Sequence, residues 1–336
     1  MQIKHNVPLA YYTTFGIGGK ARFFVEVGDE DELAEAAEFA KNNKLSVFAL
    51  GGGSNILISD EGYDGLVIKI NICGIISVNT PTGLRIKAGA GQMWDDVVAY
   101  AVSMNISGIE NLSLIPGTVG GAVYQNIGAY GAELKDVLVL VKAYNIKTGN
   151  VVELSNKECG FEYRHSIFKN NKDLIVLEAE LLLSKDNKQN LSYPDFQKLL
   201  IGAEPTIAEI RQAVINIRLN KIPYPPLTAN AGSFFKNPLI TIANFENLLQ
   251  NCPDLKGHKS GNGFIKLSAG QLIEKCDFKG KRMGNVGVSE KHALVLVNYG
   301  GGQAKDINEL ESVIKEAVKV KFGVKLEAEV EKITCG

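Results

Sequence analysis

Three consecutive glycines, Gly51-Gly52-Gly53, and then Ser54-Asn55 separate the apolar runs Val47-Phe48-Ala49-Leu50 and Ile56-Leu57. No other stretch constrains the chain as much. Glycine lets the backbone turn with positive φ and leaves no Cβ between the main chain and a ligand. Successive N–H groups can then converge on an anion, and Ser54 and Asn55 add side-chain donors. Taken alone, the stretch reads equally well as a tight turn between two core strands.

A second loop of the same character shifts the balance. It runs Ile115-Pro116-Gly117-Thr118-Val119-Gly120-Gly121 and continues through Gln125-Asn126-Ile127-Gly128-Ala129-Tyr130-Gly131. Pro116 at a helix N1 position, with Gly117 and Thr118 beside it, suits a helix start whose N–H groups face an anion. Two such loops could hold the two phosphates of one dinucleotide. A turn-rich β segment is the alternative. No G-x-G-x-x-G opens a helix with an acid about 20 residues on, so the common dinucleotide fingerprint is absent.

Around these loops the hydrophobic period alternates between 2 and 3.6. Strands are expected over residues 21–27, 46–50, 66–70, 84–88, 137–145 and 174–183, with helices over 31–43 and 93–104. Trp94, the only tryptophan, reads as core. A helix over 205–220 ends in Lys221-Ile222-Pro223-Tyr224-Pro225-Pro226, a stiff connector that suits a domain boundary. Beyond it, strands over 233–236, 264–267, 293–298 and 325–333 alternate with helices over 242–250, 269–276 and 306–322, a compact α+β pattern.

Lys+Arg 36 against Asp+Glu 37 leaves a net charge of −1, with no basic excess to hold a nucleic-acid backbone. No apolar run approaches the ~20 residues that span a bilayer, and Met1-Gln2-Ile3-Lys4-His5 does not begin a secretory signal. Five scattered cysteines without a CxxC fit reduced thiols in a cytoplasmic protein, with no metal site expected.

Two residues invite a chemical reading. Arg164, in Phe161-Glu162-Tyr163-Arg164-His165-Ser166-Ile167-Phe168, lies in an apolar segment where a buried arginine needs an anionic partner. An exposed edge arginine is the plainer reading. Ser233, in Gly232-Ser233-Phe234-Phe235-Lys236-Asn237-Pro238, has no G-x-S-x-G elbow, so a hydrolase nucleophile is disfavoured. It reads as a turn serine, or as a proton donor to a developing carbanion.

With these motifs in order, joined by Thr14-Phe15-Gly16-Ile17-Gly18-Gly19 and Leu326-Glu327-Ala328-Glu329-Val330, the chain resembles the UDP-N-acetylenolpyruvoylglucosamine reductase family. The resemblance covers about residues 12 to 330. It implies an α+β fold: two FAD-binding subdomains of the vanillyl-alcohol-oxidase type (1–72 and 73–204) and a C-terminal substrate domain (205–336), whose last strand carries Glu329. It further implies FAD as cofactor and NADPH as reductant. The substrate would be UDP-N-acetyl-3-O-(1-carboxyvinyl)-glucosamine and the product the peptidoglycan precursor UDP-N-acetylmuramate.

By the same resemblance Arg164 and Glu329 stabilise the intermediate and Ser233 delivers the proton. Gly51, Gly52, Gly53, Ser54, Asn55, Pro116, Gly117, Thr118, Gly120, Gly121, Gly128 and Arg218 would contact FAD. Tyr163, Tyr193, Lys221, Asn237, Lys279 and His292 would contact substrate. Tyr193 matches the substrate-closing tyrosine of the family's first subtype. His292 stands at a glutamine position, and His258 falls near a tyrosine-bearing loop position. The expected partners are the UDP-sugar alone, without nucleic acid or membrane, and the expected state is a monomer. Two other readings stay open: an FAD oxidase or dehydrogenase with another substrate, and a silent UDP-sugar-binding protein. Covalent flavin attachment is disfavoured, since residues 47–57 and 114–131 hold no histidine or cysteine.

Overall fold

The strand Lys20–Val27 buries Ala21, Phe24, Val25 and Val27 and exposes Lys20, Arg22 and Glu26. Ala21 and Phe24 face one cluster with Leu9, Leu50, Ile58 and Val67. Val25 and Val27 face another with the helix Glu30–Asn42. That helix starts at Asp29, whose carboxylate accepts from the Glu32 N–H at 2.8 Å, and it buries Leu33, Ala36, Ala37 and Ala40. The strand order is Lys4–Pro8, Lys20–Val27, Tyr63–Ile70, Val47–Leu50. The first pair is antiparallel and the others parallel. In this computed structural model the described residues are 1–186, 191, 196, 204–261 and 263–335.

A second sheet, antiparallel throughout, runs Asn150–Ser155, Leu138–Asn145, Leu174–Ser184, Gly83–Gly89, Ile75–Asn79. The helices Trp94–Ser103 and Val119–Gln125 pack on it, and one core joins its inner face to the helix Glu30–Asn42. Trp94 is part of that core, as expected. Its indole N–H donates to the Leu112 carbonyl at 3.0 Å, so the ring is buried with its one donor satisfied.

The third unit has a four-stranded sheet, Ala229–Ser233, Val295–Asn298, Val286–Val288, Arg282–Met283, and a three-stranded one, Leu239–Thr241, Phe264–Leu267, Gly257–Lys259. The long helix Ala304–Phe322 buries Ile307, Leu310, Ile314 and Val318 against them.

Two expectations about domain layout need correction. The helix expected to open the third unit, Ile207–Lys221, packs on the second: Arg211 holds Asp95 through two bonds of 2.7 and 2.8 Å. The final strand does not run over 325–333 but is short, Glu331–Ile333, and Glu329 lies just before it. It returns to the first unit, pairing in parallel with Ile56–Ile58 directly after the triple-glycine loop. Residues 325–330 instead border Phe234 to Lys236, through Glu329 N–H to Phe234 O at 2.8 Å and Lys236 N–H to Glu327 O at 2.9 Å. That crossing carries the C-terminal glutamate to the cofactor loops. No helix among the described residues is long and apolar enough to cross a membrane.

Candidate active site

The two glycine-rich loops press against each other. A Cβ on Gly52 would lie 2.6 Å from Gly117 Cα, and one on Gly51 would lie 2.8 Å from Thr118 Oγ1. Gly53 has φ +63, and a Cβ there would meet the Tyr12 carbonyl at 2.0 Å, so only glycine fits. Ser54 Oγ donates to the Pro116 carbonyl at 2.9 Å. Lys69 Nζ donates to the Gly51 carbonyl at 2.6 Å, and burial lowers its pKa from the ordinary lysine value.

Pro116 is not at a helix N1. The helix is Val119–Gln125 with Thr118 as its N-cap. The Val119 and Gly120 N–H groups are already bonded to the Gln92 and Ala90 carbonyls at 2.9 and 2.8 Å. The first turn of this helix is therefore largely committed to the fold. The buried Thr118 hydroxyl has no hydrogen-bond partner among the described residues.

A cavity of about 510 Å³ opens along these loops. Its lining brings together Gly51, Gly52, Gly53, Ser54, Asn55, Pro116, Gly117, Thr118, Gly120, Gly121, Gly128 and Arg218 with Arg164, Ser233 and Glu329. A side-chain-free cradle and a buried hydroxyl awaiting an acceptor are what an extended phosphate-bearing cofactor needs, so the residues present fit FAD. Arg218 donates from Nε to the Leu114 carbonyl at 3.2 Å and also bonds Tyr130.

In the same lining Arg164 donates from Nε to Glu329 Oε1 at 2.7 Å and from Nη2 to the Gly128 carbonyl at 2.8 Å. The pair is mostly buried, its side chains 19% and 12% exposed. The sequence offered an exposed edge arginine as the plainer reading; the structure gives Arg164 its anionic partner instead. Arg164 holds a left-handed backbone at φ +56, a conformation that costs a non-glycine residue about 1–2 kcal/mol and persists where surroundings impose it.

Gln125 Nε2 donates to the same Glu329 Oε1 at 3.1 Å, and Lys169 Nζ donates to Gln125 Oε1. Beside them Tyr124 donates to Glu331 Oε2 at 2.5 Å, and Lys172 bonds both Tyr124 and Glu331. Burial, with Glu331 beside it, raises the Tyr124 phenol above its ordinary range and keeps it protonated. These five residues were not expected as site residues. Their one sequence signal is the Glu327, Glu329, Glu331 alternation, which places acids on one side of an extended segment.

Ser233 ends the strand Ala229–Ser233, not the 233–236 strand expected. A register shift between Asn230 and Ser233 bulges the strand at residues 231–232, and Ser233 rejoins the ladder opposite Val295. Asn230, fully buried, fixes that bulge by accepting from the Gly232 N–H at 2.8 Å and donating to Thr228 and Pro223 carbonyls. The Ser233 hydroxyl has no hydrogen-bond partner among the described residues.

Of the expected substrate residues, Tyr163, Lys221, Asn237, Lys279 and His292 lie outside the cavity lining. The Tyr163 ring is flanked by Arg164 at 5.2 Å and Lys266 at 4.4 Å, and burial raises its pKa. Asn237 accepts from the Ala269 N–H at 3.0 Å, so its side chain helps start the helix Ala269–Glu274. His292 neighbours Lys279 and Lys221. Burial first, and those two ammonium groups next, lower its pKa and favour the neutral ring. Lys279 pairs with Glu274 at 2.9 Å. His258 is exposed on the strand Gly257–Lys259. Tyr193 lies outside the described residues.

Residues 21–155 match the FAD binding domain family. Residues 224–333 match the C-terminal domain family of UDP-N-acetylenolpyruvoylglucosamine reductase. The reductase of that name from Flavobacterium johnsoniae is 41% identical, over 98% of this chain and 99% of its own. The one from Pseudomonas aeruginosa is 39% identical over 98% of each. The crystal structure of the Thermus caldophilus reductase superposes with a TM-score of 0.69 at 27% identity, covering 99% of this chain and 98% of that one. With two relatives near 40% identity along almost its whole length, this chain belongs to the UDP-N-acetylenolpyruvoylglucosamine reductase family.

Proposed function

We propose that the chain uses NADPH to reduce the enolpyruvyl group of UDP-N-acetyl-3-O-(1-carboxyvinyl)-glucosamine, giving UDP-N-acetylmuramate for peptidoglycan synthesis. One observation carries the reading. The Arg164–Glu329 pair and an unpartnered serine hydroxyl line the same cavity as the glycine cradle.

Bound FAD supplies the hydride. Arg164 has two of its three nitrogens engaged by Glu329 and Gly128, which fixes the guanidinium and leaves Nη1 to pair with the substrate's carboxylate. Hydride addition at the terminal vinyl carbon pushes charge onto that carboxylate. A fixed guanidinium stabilises it where it develops, with no reorganisation. Glu329 is held by Arg164 and Gln125 through one oxygen, Oε1. Ser233 then protonates the adjacent carbon. Proton delivery by a positioned hydroxyl depends on geometry first, and the bulge at Gly232 provides that geometry.

Lys221, Lys279 and neutral His292 lie together and suit the diphosphate and uridine end. The Tyr163 ring adjoins Arg164 at 5.2 Å, and Tyr163 and Asn237 suit the sugar part of the substrate. Every group in this reading comes from one chain, so a monomer suffices. UDP-sugars and NADPH place it in the cytoplasm.

The test is product identification. Protein loaded with FAD is given NADPH and the enolpyruvyl sugar nucleotide, and the nucleotide pool is analysed by mass spectrometry. Gain of two hydrogens by the nucleotide, matched by NADPH loss, is expected. NADPH consumption with the nucleotide unchanged would favour an FAD oxidase on the same scaffold.

A further inference from the structure

The reduction as described leaves Lys169 without a task, although it lies one residue removed from the Glu329 carboxylate. It stands half-buried on the short helix Ile167–Asn170, with its ammonium 5.6 Å from the Tyr124 ring centroid, and donates to Gln125 Oε1. The Gln125 amide nitrogen donates in turn to Glu329 Oε1. A primary amide has one accepting end and one donating end. With an ammonium at the first, only the NH2 can face the carboxylate. Flipping the amide would set its N–H groups against Lys169 and its oxygen against Glu329, and both contacts would repel. Lys169 therefore decides which way Gln125 points without touching Glu329.

We propose that Lys169 is a positioning residue for the reduction, acting through the Gln125 amide to hold the Glu329 carboxylate in register with Arg164. The inference rests on the proposed reduction.

The charged and titratable groups around Lys169 come from every neighbouring segment. Glu329 and Glu331 belong to the C-terminal stretch, Lys236 to the stretch after Ser233, Lys172 to the following turn and Tyr124 to the helix Val119–Gln125. Burial, helped by Lys236 and Lys172 and opposed by the two glutamates, lowers the ammonium to about 8. Below that pH the group is a pure donor and the amide is oriented. Above it the neutral amine accepts as well as donates, and the orientation is lost.

The experiment measures kcat and KM for the enolpyruvyl nucleotide on both sides of pH about 8. The proteins are FAD-loaded wild type, Lys169→Met, Gln125→Met, the double variant and Lys169→Arg, with bound FAD quantified by absorbance. Wild-type kcat is expected to fall as pH rises through about 8. Lys169→Met should lose about tenfold in kcat at neutral pH, the scale of a misplaced catalytic group, with KM little changed. It should also lose the alkaline limb and keep its FAD. The double variant should be no slower than Gln125→Met, because both changes break one connection, and Lys169→Arg should regain most of the rate. Multiplicative losses in the double variant overturn the proposal. So does a wild-type profile that stays flat through about 8, a result that needs no variant to fold. A wild type that reduces no enolpyruvyl nucleotide overturns the reaction and this inference together. An active wild type with multiplicative losses overturns the inference alone.

Discussion

The cradle around Gly51 to Asn55 and the cluster around Glu329 line one cavity but are built by opposite means. The cradle is main chain brought into near contact, with the Gly52 and Gly117 backbones too close for a Cβ. The cluster is long side chains gathered from four separate segments around a single carboxylate oxygen and its neighbours. A site of the first kind is spoiled by adding atoms. A site of the second kind is spoiled by removing them. The two should therefore fail separately, the first by losing cofactor and the second by losing turnover.

The largest effect is expected at Ser233. Ser233→Ala should cut turnover by roughly 10²–10⁴, the usual worth of a positioned proton donor, while FAD content stays at the parent level. Arg164→Ala should follow, with a loss on the order of 10²–10³ in kcat for a missing charge-stabilising donor. An Arg164→Ala protein that loses its yellow colour would move Arg164 into the cradle and break the division. Gly52→Ala tests the cradle from the other side. Its added Cβ meets the Gly117 backbone, so melting should show about 1–3 kcal/mol of destabilisation, together with loss of FAD.

Thr118→Val is subtler and has two opposed signs. The Thr118 hydroxyl is buried without a partner, so replacing it by a methyl should leave the FAD-free protein as stable or more stable. FAD affinity should nevertheless fall several-fold, because the hydroxyl is kept for the cofactor. Equal affinity in the variant would take Thr118 out of the cradle.

The smallest effect is the pH response of His292. Its folded pKa is lowered by burial and by Lys279 and Lys221. The unfolded chain therefore binds more protons between that lowered value and the ordinary histidine range, and stability rises with pH across that window. Urea unfolding of His292→Gln should lack this acid sensitivity. An unchanged pH dependence would mean the ring is not held neutral.

The difference between the two regions also explains what could be read from the amino-acid order. The cradle was legible, since Gly51-Gly52-Gly53-Ser54-Asn55 is contiguous and glycine runs report on backbone. Strands such as 21–27, 66–70 and 174–183 and the long helices were legible from their period, whereas which strands pair was not. Glu329 is expected on a long strand over 325–333, yet its true surroundings come from the return of the chain past Phe234 to Ile56. Gln125, Lys169, Lys172 and Glu331 are ordinary residues in sequence and acquire meaning only when Tyr124 and Glu329 meet. The helix start at Pro116 was misplaced because carbonyls of residues 90 and 92, far from it in the local pattern, take its first donors.

The most direct test follows the visible flavin spectrum anaerobically, for wild type and Ser233→Ala, first with NADPH and then with the enolpyruvyl sugar nucleotide. The account predicts bleaching by NADPH in both proteins. The nucleotide should restore the band in wild type and leave it bleached in Ser233→Ala. Restoration at the parent rate in the variant, or failure of the variant to bleach, would contradict the separation of cradle from cluster.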